Sequence, residues 1–333
     1  MSRQEASIYG RRACLAVAER RPTHILRAFY DAEGPTKDLG PLLKACAAHH
    51  RPYRAVTAEE LERLAGSKHH EGVVLFTERR ERASLSLSLR RVAERAAELE
   101  AQGAKPSPAA GVWVALDSVE NDHNQGAIAR TLAWFGAAGL VWQGPRPQLS
   151  GAALRVAQGG AEHIELVTVN RLTDALDELK AAGVRVLGAD QGARRSAFEI
   201  PLEGPVCWVL GNEQEGLSDE VRARCDELVS IPGVGVVESL NVSVSAAILV
   251  ARAYGVGGVG GGAPREERGG REGREGREGR EGREVKGGDR PLRRPSAQGA
   301  PERPAGKRPS LSMSDVTVVE ADQLPKPYKK RRP

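Results

Sequence analysis

The segment VESLNVSVSAAILVA, residues 237–251, is the part of this chain that best indicates how it folds. Its body, from Val242 onward, is apolar on nearly every side, which predicts a buried helix. The helix is entered through the polar residues Ser239 and Asn241, which follow the glycine-containing loop GVGVV. Polar groups at the start of an apolar helix are typical either of a helix cap or of a functional site. Both interpretations remain open on this segment alone.

The residues before this helix, from 112 onward, alternate between short apolar runs and helix-like segments. The runs VWVALD, GLVWQG, IELVTV, VRVLGAD, PVCWVLG and ELVSIP are each predicted to form a strand. Segments such as GAIARTLAWFG and LTDALDELKAAG lie between them and are predicted to form helices. Nearly continuous apolar strands separated by helices are typical of a parallel sheet with both faces covered. Residues 112–256 are therefore predicted to form an α/β domain.

Two regions precede this domain and one follows it. Residues 1–80 are predicted to form a small α/β domain, because helical segments alternate with strand-like ones such as THILRAFY and GVVLFT. Residues 81–111 are more polar and are predicted to be a linker with one exposed helix, RRVAERAAELEAQG. Residues 257–333 contain a repeated Gly-Arg-Glu triplet and Pro-rich basic text, which predicts a disordered tail.

The net charge of +5 is concentrated in that tail. From Arg265 to the last residue there are 19 basic and 12 acidic residues, against 30 basic and 32 acidic in the rest of the chain. A basic tail on a nearly neutral body favours a polyanionic partner such as RNA, although it is also consistent with a role in solubility alone.

Several classes of protein are disfavoured by the composition. No run of about 18 apolar residues is present, so we expect no membrane-spanning helix. The first residues, MSRQEASIYGRR, lack the apolar stretch of a signal peptide. The four cysteines are widely spaced and form no CxxC pair, which favours reduced thiols in a cytoplasmic protein and no metal site.

Three loops that follow predicted strands carry polar residues where a parallel sheet binds its ligands, beyond the carboxyl ends of the strands. The first, DSVENDHNQGAIAR, contains Asn124, which is placed to cap the next helix, and Arg130 six residues later. The second, VLGNEQEGLS, has Gly211 directly after a strand and Glu213 in the loop. The third, IPGVGVVESLNVS, leads into the helix described above.

Each loop taken singly is explained equally well as a cap or a turn, but all three are predicted to lie at the same edge of the sheet. That coincidence favours a ligand site. The sequence contains no GxGxxG after a strand, no P-loop, no HExxH and no GxSxG, which disfavours a dinucleotide-binding fold and the common nucleotide and hydrolase sites.

In order along the chain, NDHNQGAIARTLAWFG, VLGNEQEGLS and IPGVGVVESLNVSVSAA resemble the three motifs of the SpoU (TrmH-like) branch of the SPOUT RNA methyltransferases. The N-terminal part, with SKHHEGVV near its end, looks like the accessory substrate-binding domain of that family, a ribosomal-protein-like α/β fold. The resemblance covers about residues 8–254. It implies a deep trefoil knot and a homodimer whose catalytic site is assembled from both protomers. The implied reaction is methyl transfer from S-adenosylmethionine to a ribose 2′-hydroxyl of structured RNA, with ribosomal RNA favoured over transfer RNA.

The resemblance also implies roles for individual residues. Arg130 matches the catalytic arginine of the first motif and Asn124 its polar partner, while Glu213 matches the acid of the second motif. Ser239 and Asn241 match the polar pair of the third motif. The residues implied to hold the cofactor, largely through their backbone, are Leu210, Gly211, Ile231 and Leu240.

One departure from the family pattern is visible at Asp122, where proline is common, and it puts the rigidity of the first loop in question. His123 has a side chain suited to act as a base, but an ordinary loop histidine without a catalytic role is the favoured interpretation.

A rival interpretation is a knotted RNA-binding protein that has lost its activity. The presence of all five implied catalytic residues argues against it.

Overall fold

The computed structural model describes residues 5–34 and 37–255. The predicted disordered tail lies outside these ranges. No helix in the described part of the chain is long and apolar enough to cross a membrane.

The N-terminal residues form a four-stranded mixed sheet with three helices. Its elements are β1 (Glu5–Tyr9), α1 (Arg11–Arg20), β2 (Ile25–Asp31), α2 (Gly40–Ala48), β3 (Tyr53–Val56), α3 (Ala58–Ala65) and β4 (Val73–Glu78). The strand order is β1-β4-β2-β3, with β4 antiparallel to both of its neighbours and β2 parallel to β3. The predicted α/β character is confirmed here. Strand β1 and helix α3 were not predicted.

The segment predicted as a linker contains helix α4 (Leu85–Ala101), which begins where the Ser84 hydroxyl accepts a hydrogen bond from the Leu87 amide. The helix is not simply exposed, since Leu85 is buried in the same apolar cluster as residues of the second sheet. Arg91 and Arg95 also lie 3.8 and 3.1 Å from the carboxylate of Glu165. Helix α4 therefore packs against the second domain along one side.

The second domain alternates strands and helices as predicted. Its elements are β5 (Val112–Leu116), α5 (Asp122–Phe135), β6 (Gly139–Gln143), α6 (Gly151–Val156), β7 (Glu165–Val169), α7 (Leu172–Ala181), β8 (Arg185–Ala189), β9 (Val206–Leu210), α8 (Asp219–Arg222), β10 (Glu227–Val229) and α9 (Val242–Tyr254). The six strands pair in the order β10-β8-β9-β5-β6-β7, and every pairing is parallel.

The sheet is covered on both faces, as its apolar strands predicted. Alternate residues of β5 belong to different clusters: Val112, Val114 and Leu116 to one, Trp113 and Ala115 to the other. Successive side chains of a strand point to opposite faces, so each cluster fills one face of the sheet. Because every pairing in this sheet is parallel, the carboxyl ends of all six strands lie along one edge.

Helix α9 is less buried than its composition suggested. One face, formed by Val242, Ala246, Leu249 and Val250, is buried, and the helix packs against α5 and the strands β5 and β9. On another face the side chain of Val244 is 46% exposed. The prediction of a buried helix is therefore confirmed for one face, and burial of the other face, which was expected at a contact between protomers, stays a prediction.

The two domains are joined by a buried ion cluster. Glu162, in the short 3-10 helix Gly160–Glu162, accepts hydrogen bonds from Arg21 at 2.9 and 3.1 Å, and Arg80 also bonds to it. The Glu162 side chain is only 4% exposed. Burial alone would raise the pKa of Glu162, but the two guanidinium groups outweigh it and hold that pKa below its usual value. The carboxylate is therefore ionised and ties the N-terminal domain to the second one.

Candidate active site

The first polar loop ends in a helix cap, but the capping residue is Asn121. Its side-chain oxygen accepts hydrogen bonds from the amides of His123 and Asn124, at 2.9 and 3.3 Å. The prediction that Asn124 caps the helix is wrong, because α5 begins at Asp122 and Asn124 lies within its first turn. This position leaves the side-chain amide of Asn124, a residue only 8% exposed, available for other partners.

Asn124 connects the three predicted loops. Its Nδ2 donates a hydrogen bond to Oε1 of Glu213, in the loop after β9. Its Oδ1 accepts one from Nδ2 of Asn241, at 3.2 Å, just before α9. Residues separated by 89 and 117 positions in the sequence are thus held in one chain of hydrogen bonds. The sequence placed these residues at one edge of the sheet, and the structure brings the three side chains into contact.

The second loop is a tight turn closed on its own backbone. Asn212 and Gly216 exchange two amide hydrogen bonds, at 3.1 and 2.9 Å, and the Asn212 side chain donates to the carbonyl of Ser118. A Cβ atom on Gly211 would lie 2.1 Å from the carbonyl carbon of Gly216 and 2.4 Å from the amide nitrogen of Leu217. Only glycine fits there, because the loop folds directly over it. This turn fixes where Glu213 lies.

The third loop combines a cap with an open backbone. Asn241 is the N-cap of α9, since its Oδ1 accepts hydrogen bonds from the amide of Ser243 at 2.9 Å and from its hydroxyl at 2.6 Å. Asn241 therefore caps the helix and contacts Asn124 at the same time. No backbone N–H or C=O of residues 231–240 bonds to another backbone group of the described chain. Such a segment offers donors and acceptors to a ligand.

A cavity of about 330 Å³ lies at this edge, between the loops that follow β8, β9 and β10. It combines apolar walls, among them Val229 and Val242, with charged groups: the carboxylates of Asp190, Glu213, Glu215 and Glu238 and the guanidinium of Arg222. Six of the residues implied by the sequence line it: Leu210, Gly211, Glu213, Ile231, Ser239 and Leu240. All four residues implied to hold the cofactor are among these six.

The loop after β8 was missed by sequence reasoning, although it forms one wall of the cavity. Asp190 follows the strand directly, accepts a hydrogen bond from the Gly192 amide at 2.8 Å and pairs with Arg222. Ala189 and Gln191 also line the cavity. The sequence GADQG carried the same signal as the other loops, an apolar strand followed at once by polar residues and glycine.

Arg130 lies apart from this cavity. It is exposed on α5, six residues after Asn124, which corresponds to about 9 Å along a helix. It borders a different cleft, between α5 and α1 of the N-terminal domain. Its guanidinium group makes no hydrogen bond or ion pair with any of the described residues. The single chain thus brings Asn124, Glu213 and Asn241 together and leaves Arg130 outside their cavity.

A parallel α/β sheet with a cavity at its carboxyl edge and three converging polar loops is typical of an α/β ligand-binding domain, here preceded by an accessory α/β domain. Two profiles of known protein families match this chain. The profile described as the SpoU rRNA Methylase family matches residues 111–251, and that described as RNA 2′-O ribose methyltransferase substrate binding matches residues 7–83. The chain belongs to the SpoU rRNA methylase family.

The similarity to known relatives covers about three quarters of this chain. The uncharacterized tRNA/rRNA methyltransferase YfiF of Escherichia coli O157:H7 is 32% identical, covering 75% of this chain and 68% of its own. The 23S rRNA (guanosine-2′-O-)-methyltransferase RlmB of a Burkholderia species is also 32% identical, covering 74% of this chain and 94% of its own. The crystal structure of the SpoU methyltransferase AviRb from Streptomyces viridochromogenes with AdoMet shares the fold, with a TM-score of 0.58 at 23% identity and coverage of 75% and 89%.

Proposed function

We propose that this protein transfers a methyl group from S-adenosylmethionine to a ribose 2′-hydroxyl of ribosomal RNA. The observation that carries the proposal is the hydrogen-bonded set of Asn124, Glu213 and Asn241 beside the cavity. These residues come from the three segments that resemble the family motifs, and they meet only in the folded chain. Ribosomal RNA is preferred over transfer RNA because RlmB, which matches this chain over both domains, is named for that substrate.

The cavity suits S-adenosylmethionine by its chemistry. Leu210, Ile231 and Leu240 supply apolar surface for an adenine ring, and the unpaired backbone groups of residues 231–240 suit its hydrogen-bonding edge. The carboxylates of Glu213 and Glu238 suit the positive charges of the methionyl part. When bound, the cofactor supplies an electrophilic methyl group.

The chain's own residues would orient the hydroxyl and stabilise its charge. A ribose hydroxyl is a weak nucleophile, so alignment and proton removal are the main requirements. Arg130 is not suited to be a free base, because an arginine pKa exceeds about 12. We propose that Arg130 holds the hydroxyl and an adjacent phosphate, that this phosphate shares the proton, and that the guanidinium stabilises the developing oxyanion.

In a homodimer, Arg130 of one protomer would lie at the cavity of the other. Arg130 lies outside the cavity of its own chain, so a site that needs it requires a second protomer. Exposed apolar side chains near the cavity support such an interface: Val234 and Val236 in the third loop and Val244 on α9. The proposal is a dimer in which Arg130 of one protomer serves the cavity of its partner.

We further propose that the second domain is knotted. A trefoil knot would place α9 over the middle of the sheet, and the positions of β10 and α9 support this. Strand β10 lies at one edge of the sheet, whereas α9 packs against α5, β5 and β9 at its centre.

The N-terminal domain is proposed to be the ribosomal-protein-like, substrate-binding part, consistent with the profile matched by residues 7–83. A cytoplasmic site of action fits an RNA substrate and four free cysteines.

The test is mapping of ribose methylation in ribosomal RNA, at single-nucleotide resolution, from cells with and without the gene. We expect one or a few positions to lose the modification and to regain it when the purified protein and S-adenosylmethionine are added to unmodified RNA. Unchanged maps together with no methyl transfer in vitro would remove the proposed activity.

An inactive, knotted RNA-binding protein is the second candidate, and the position of Arg130 outside the cavity is the observation that favours it. Calorimetric titration with S-adenosylmethionine separates the two. An enzyme binds the cofactor in this titration, whereas the inactive protein would bind RNA and show no heat of cofactor binding.

A further inference from the structure

Another cleft, of about 400 Å³, lies at the carboxyl edge of the sheet, beside the cavity proposed for S-adenosylmethionine. Its walls are the loops that follow β5 and β6, and its floor includes Leu116 and Trp142 near the ends of those strands. We call it the β5–β6 cleft. Its volume is within the range of about 300–1,000 Å³ that small-molecule sites occupy. No residue that lines it has a part in the proposed reaction.

The loop of residues 117–120 is a shared wall between this cleft and the cofactor cavity. The Asp117 amide donates to the carbonyl of Leu210 at 2.9 Å, and the Asn212 side chain donates to the carbonyl of Ser118 at 3.0 Å. Both Leu210 and Asn212 line the cofactor cavity. Strands β5 and β9 are paired, and neighbouring strands lie about 4.8 Å apart. A ligand in the cleft is therefore separated from the cofactor by the thickness of one loop.

This shared wall is held in a strained conformation. Ser118 has φ +57°, a left-handed value that is unfavourable for a residue with a side chain. One carboxylate oxygen of Asp117 accepts a hydrogen bond from the Ser218 amide at 2.7 Å, and the other accepts one from the Ser118 hydroxyl at 3.3 Å. Strain of this kind persists where surrounding contacts fix it, and it is concentrated at functional sites.

The floor of the cleft contains polar groups that the chain leaves without partners. Gln125 is 8% exposed and Trp142 is 6% exposed. Gln125 Nε2 donates to the carbonyl of Val119 at 2.8 Å, but neither Gln125 Oε1 nor the indole N–H of Trp142 bonds to a described residue. An added Cβ on Gly144 would lie 3.5 Å from Trp142 Nε1, so glycine keeps this N–H uncovered. Buried polar groups are nearly always hydrogen-bonded, so this acceptor and this donor indicate a polar ligand.

The rim of the cleft carries one carboxylate and one guanidinium. Glu120 and Arg146 are both exposed, and neither side chain makes a hydrogen bond or an ion pair in the described part of the chain. The two groups do not pair with each other, so each is available to a different part of one ligand. The cleft therefore offers both a strong acceptor and a strong donor at its rim.

The cleft does not depend on the face of α5 that carries Arg130. Gln125 and Arg130 lie five residues apart, which places them about 140° apart around the helix axis. Gln125 is buried, whereas Arg130 is exposed. The loop after β6 is held by the segment that follows β4, because the Arg80 amide donates to Gln148 Oε1 at 3.2 Å. A single chain thus forms the floor and both walls of the cleft.

We propose that the β5–β6 cleft binds the base of the nucleotide that is methylated, and that this base is guanine. This inference rests on the proposed function and adds Glu120 to it as a specificity-determining residue. RNA-binding proteins recognise unpaired bases through hydrogen bonds to their Watson–Crick and Hoogsteen edges. A base held in the cleft leaves its ribose beside the wall shared with the cofactor cavity.

The rim groups favour guanine over the other bases. Its Watson–Crick edge has two adjacent N–H donors, which one carboxylate accepts together, as Glu120 would. Its O6 and N7 are acceptors that suit the guanidinium of Arg146. Adenine and cytosine each present one amino donor beside a ring nitrogen that is an acceptor, so a carboxylate would face a lone pair there.

Binding of four matched oligonucleotides to the full chain tests the site. Each is a nine-nucleotide oligouridylate with guanine, hypoxanthine, adenine or cytosine at its centre, and the readout is fluorescence anisotropy of a 5′ label. Excess S-adenosylhomocysteine keeps the bases out of the cofactor cavity. We expect the guanine strand to bind about tenfold more tightly than the adenine and cytosine strands, with hypoxanthine, which lacks the 2-amino donor, in between. Equal affinities for the four strands would overturn the proposal.

Glu120→Gln separates recognition of the base from the effect of charge. Removing a carboxylate near RNA should strengthen the binding of all strands together, so the readout is the ratio between strands. A carboxamide offers one donor and one acceptor, the pattern that pairs with adenine, so the guanine strand should lose about tenfold relative to the adenine strand. An equal gain for all four strands would make Glu120 an ordinary surface charge and overturn the proposal.

The matched control is Glu203→Gln. Glu203 is exposed and lies three residues before β9 begins, at the amino edge of the sheet and so at the opposite edge from the cleft. Its ratios between strands should equal those of the wild type. A loss of guanine preference in this variant as well would show that the preference does not arise in the cleft.

Oligomeric state and activity complete the test. Light scattering should give the same mass for Glu120→Gln and the wild type. A changed mass with unchanged ratios between strands would make Glu120 a contact between protomers, and the proposal would fail. A wild-type protein that prefers the guanine strand but methylates no RNA would refute the proposed function and leave the guanine site standing. Methyl transfer without any base preference would do the reverse.

Discussion

Removing the charge of Glu162 is expected to destabilise the protein strongly, because this carboxylate is buried between two arginines. In Glu162→Gln the side chain keeps its size, but Arg21 and Arg80 lose their counter-charge. The side chains of these arginines are 12% and 27% exposed, so neither can be fully hydrated in compensation. Breaking a buried pair by removing one partner costs about 3–5 kcal/mol. Since Arg80 is partly open to water, we expect about 3 kcal/mol.

A matched control exists three residues further along the chain. Glu165 also contacts two arginines, but Arg91 and Arg95 have side chains that are 52% and 44% exposed. Although the Glu165 side chain is itself only 14% exposed, water reaches both of its arginine partners, so Glu165→Gln should cost less than Glu162→Gln, about 1 kcal/mol. The measurement is the free energy of unfolding in urea at pH 7, followed by circular dichroism for both variants and the wild type.

The pH dependence gives a second readout with a defined sign. The folded-state pKa of Glu162 is held below its usual value of 4.5, so its stabilising effect is fully present above that pH. The effect is lost as the pH falls through the folded-state pKa, where the wild-type carboxyl becomes neutral like the glutamine. The wild type and Glu162→Gln should therefore differ most near pH 7 and converge in acid. A cost no larger than that of Glu165→Gln, or a difference that persists unchanged in acid, would refute the reasoning.

Three further predictions concern the site and the cysteines. Arg130→Ala should abolish methyl transfer while titration calorimetry shows cofactor affinity largely unchanged; near-normal rates would remove Arg130 from the mechanism. Gly211→Ala should cost about 1–3 kcal/mol by overpacking and weaken cofactor binding, since its Cβ would meet the backbone of Gly216, whereas Gly40→Ala, with no atom within 4 Å of the added Cβ, should do neither. Burial raises the pKa of Cys225 to about 11 and also raises the pKa of Cys14, Cys46 and Cys207. The native protein should therefore react slowly with a thiol-specific disulfide reagent at pH 8, and rapid reaction of any thiol would contradict this assignment.

Much of the architecture could be predicted because it depends on local pattern. The strands from β5 to β10 are short apolar runs, and glycine ends α5 at Gly136, which has φ +64° as expected of a helix stop. Parallel strands place their carboxyl ends at one edge, so the sequence order of three polar loops predicted one site. The elements that were missed, β1 and α3, also carried local signals, because β1 buries Ala6, Ile8 and Tyr9 and α3 is capped by Thr57 at its start and Gly66 at its end.

The details of the site could not be read from the sequence, because they depend on contacts between distant residues. Asn124 was predicted to cap α5, but Asn121 does so, and a two- or three-residue difference in where a helix begins decides which side chain is free. Gly211 was expected to let the cofactor approach the backbone closely. In the structure, the space beside its Cα is occupied by the backbone of its own loop, at Gly216 and Leu217. The Asp190 wall and the Glu162 cluster involve residues whose partners lie far away in the chain.

The sequence by itself determined the covered parallel sheet, the residues at its carboxyl edge and the family, because periodicity and ordered motifs are properties of the linear chain. Only the tertiary structure decided which of those residues touch. It joined Asn124, Glu213 and Asn241, placed Arg130 on another cleft and left one face of α9 exposed. The physical reason is that hydrogen bonds and burial depend on distances of a few ångströms, set by how helices pack on the sheet. No spacing along the chain fixes those distances.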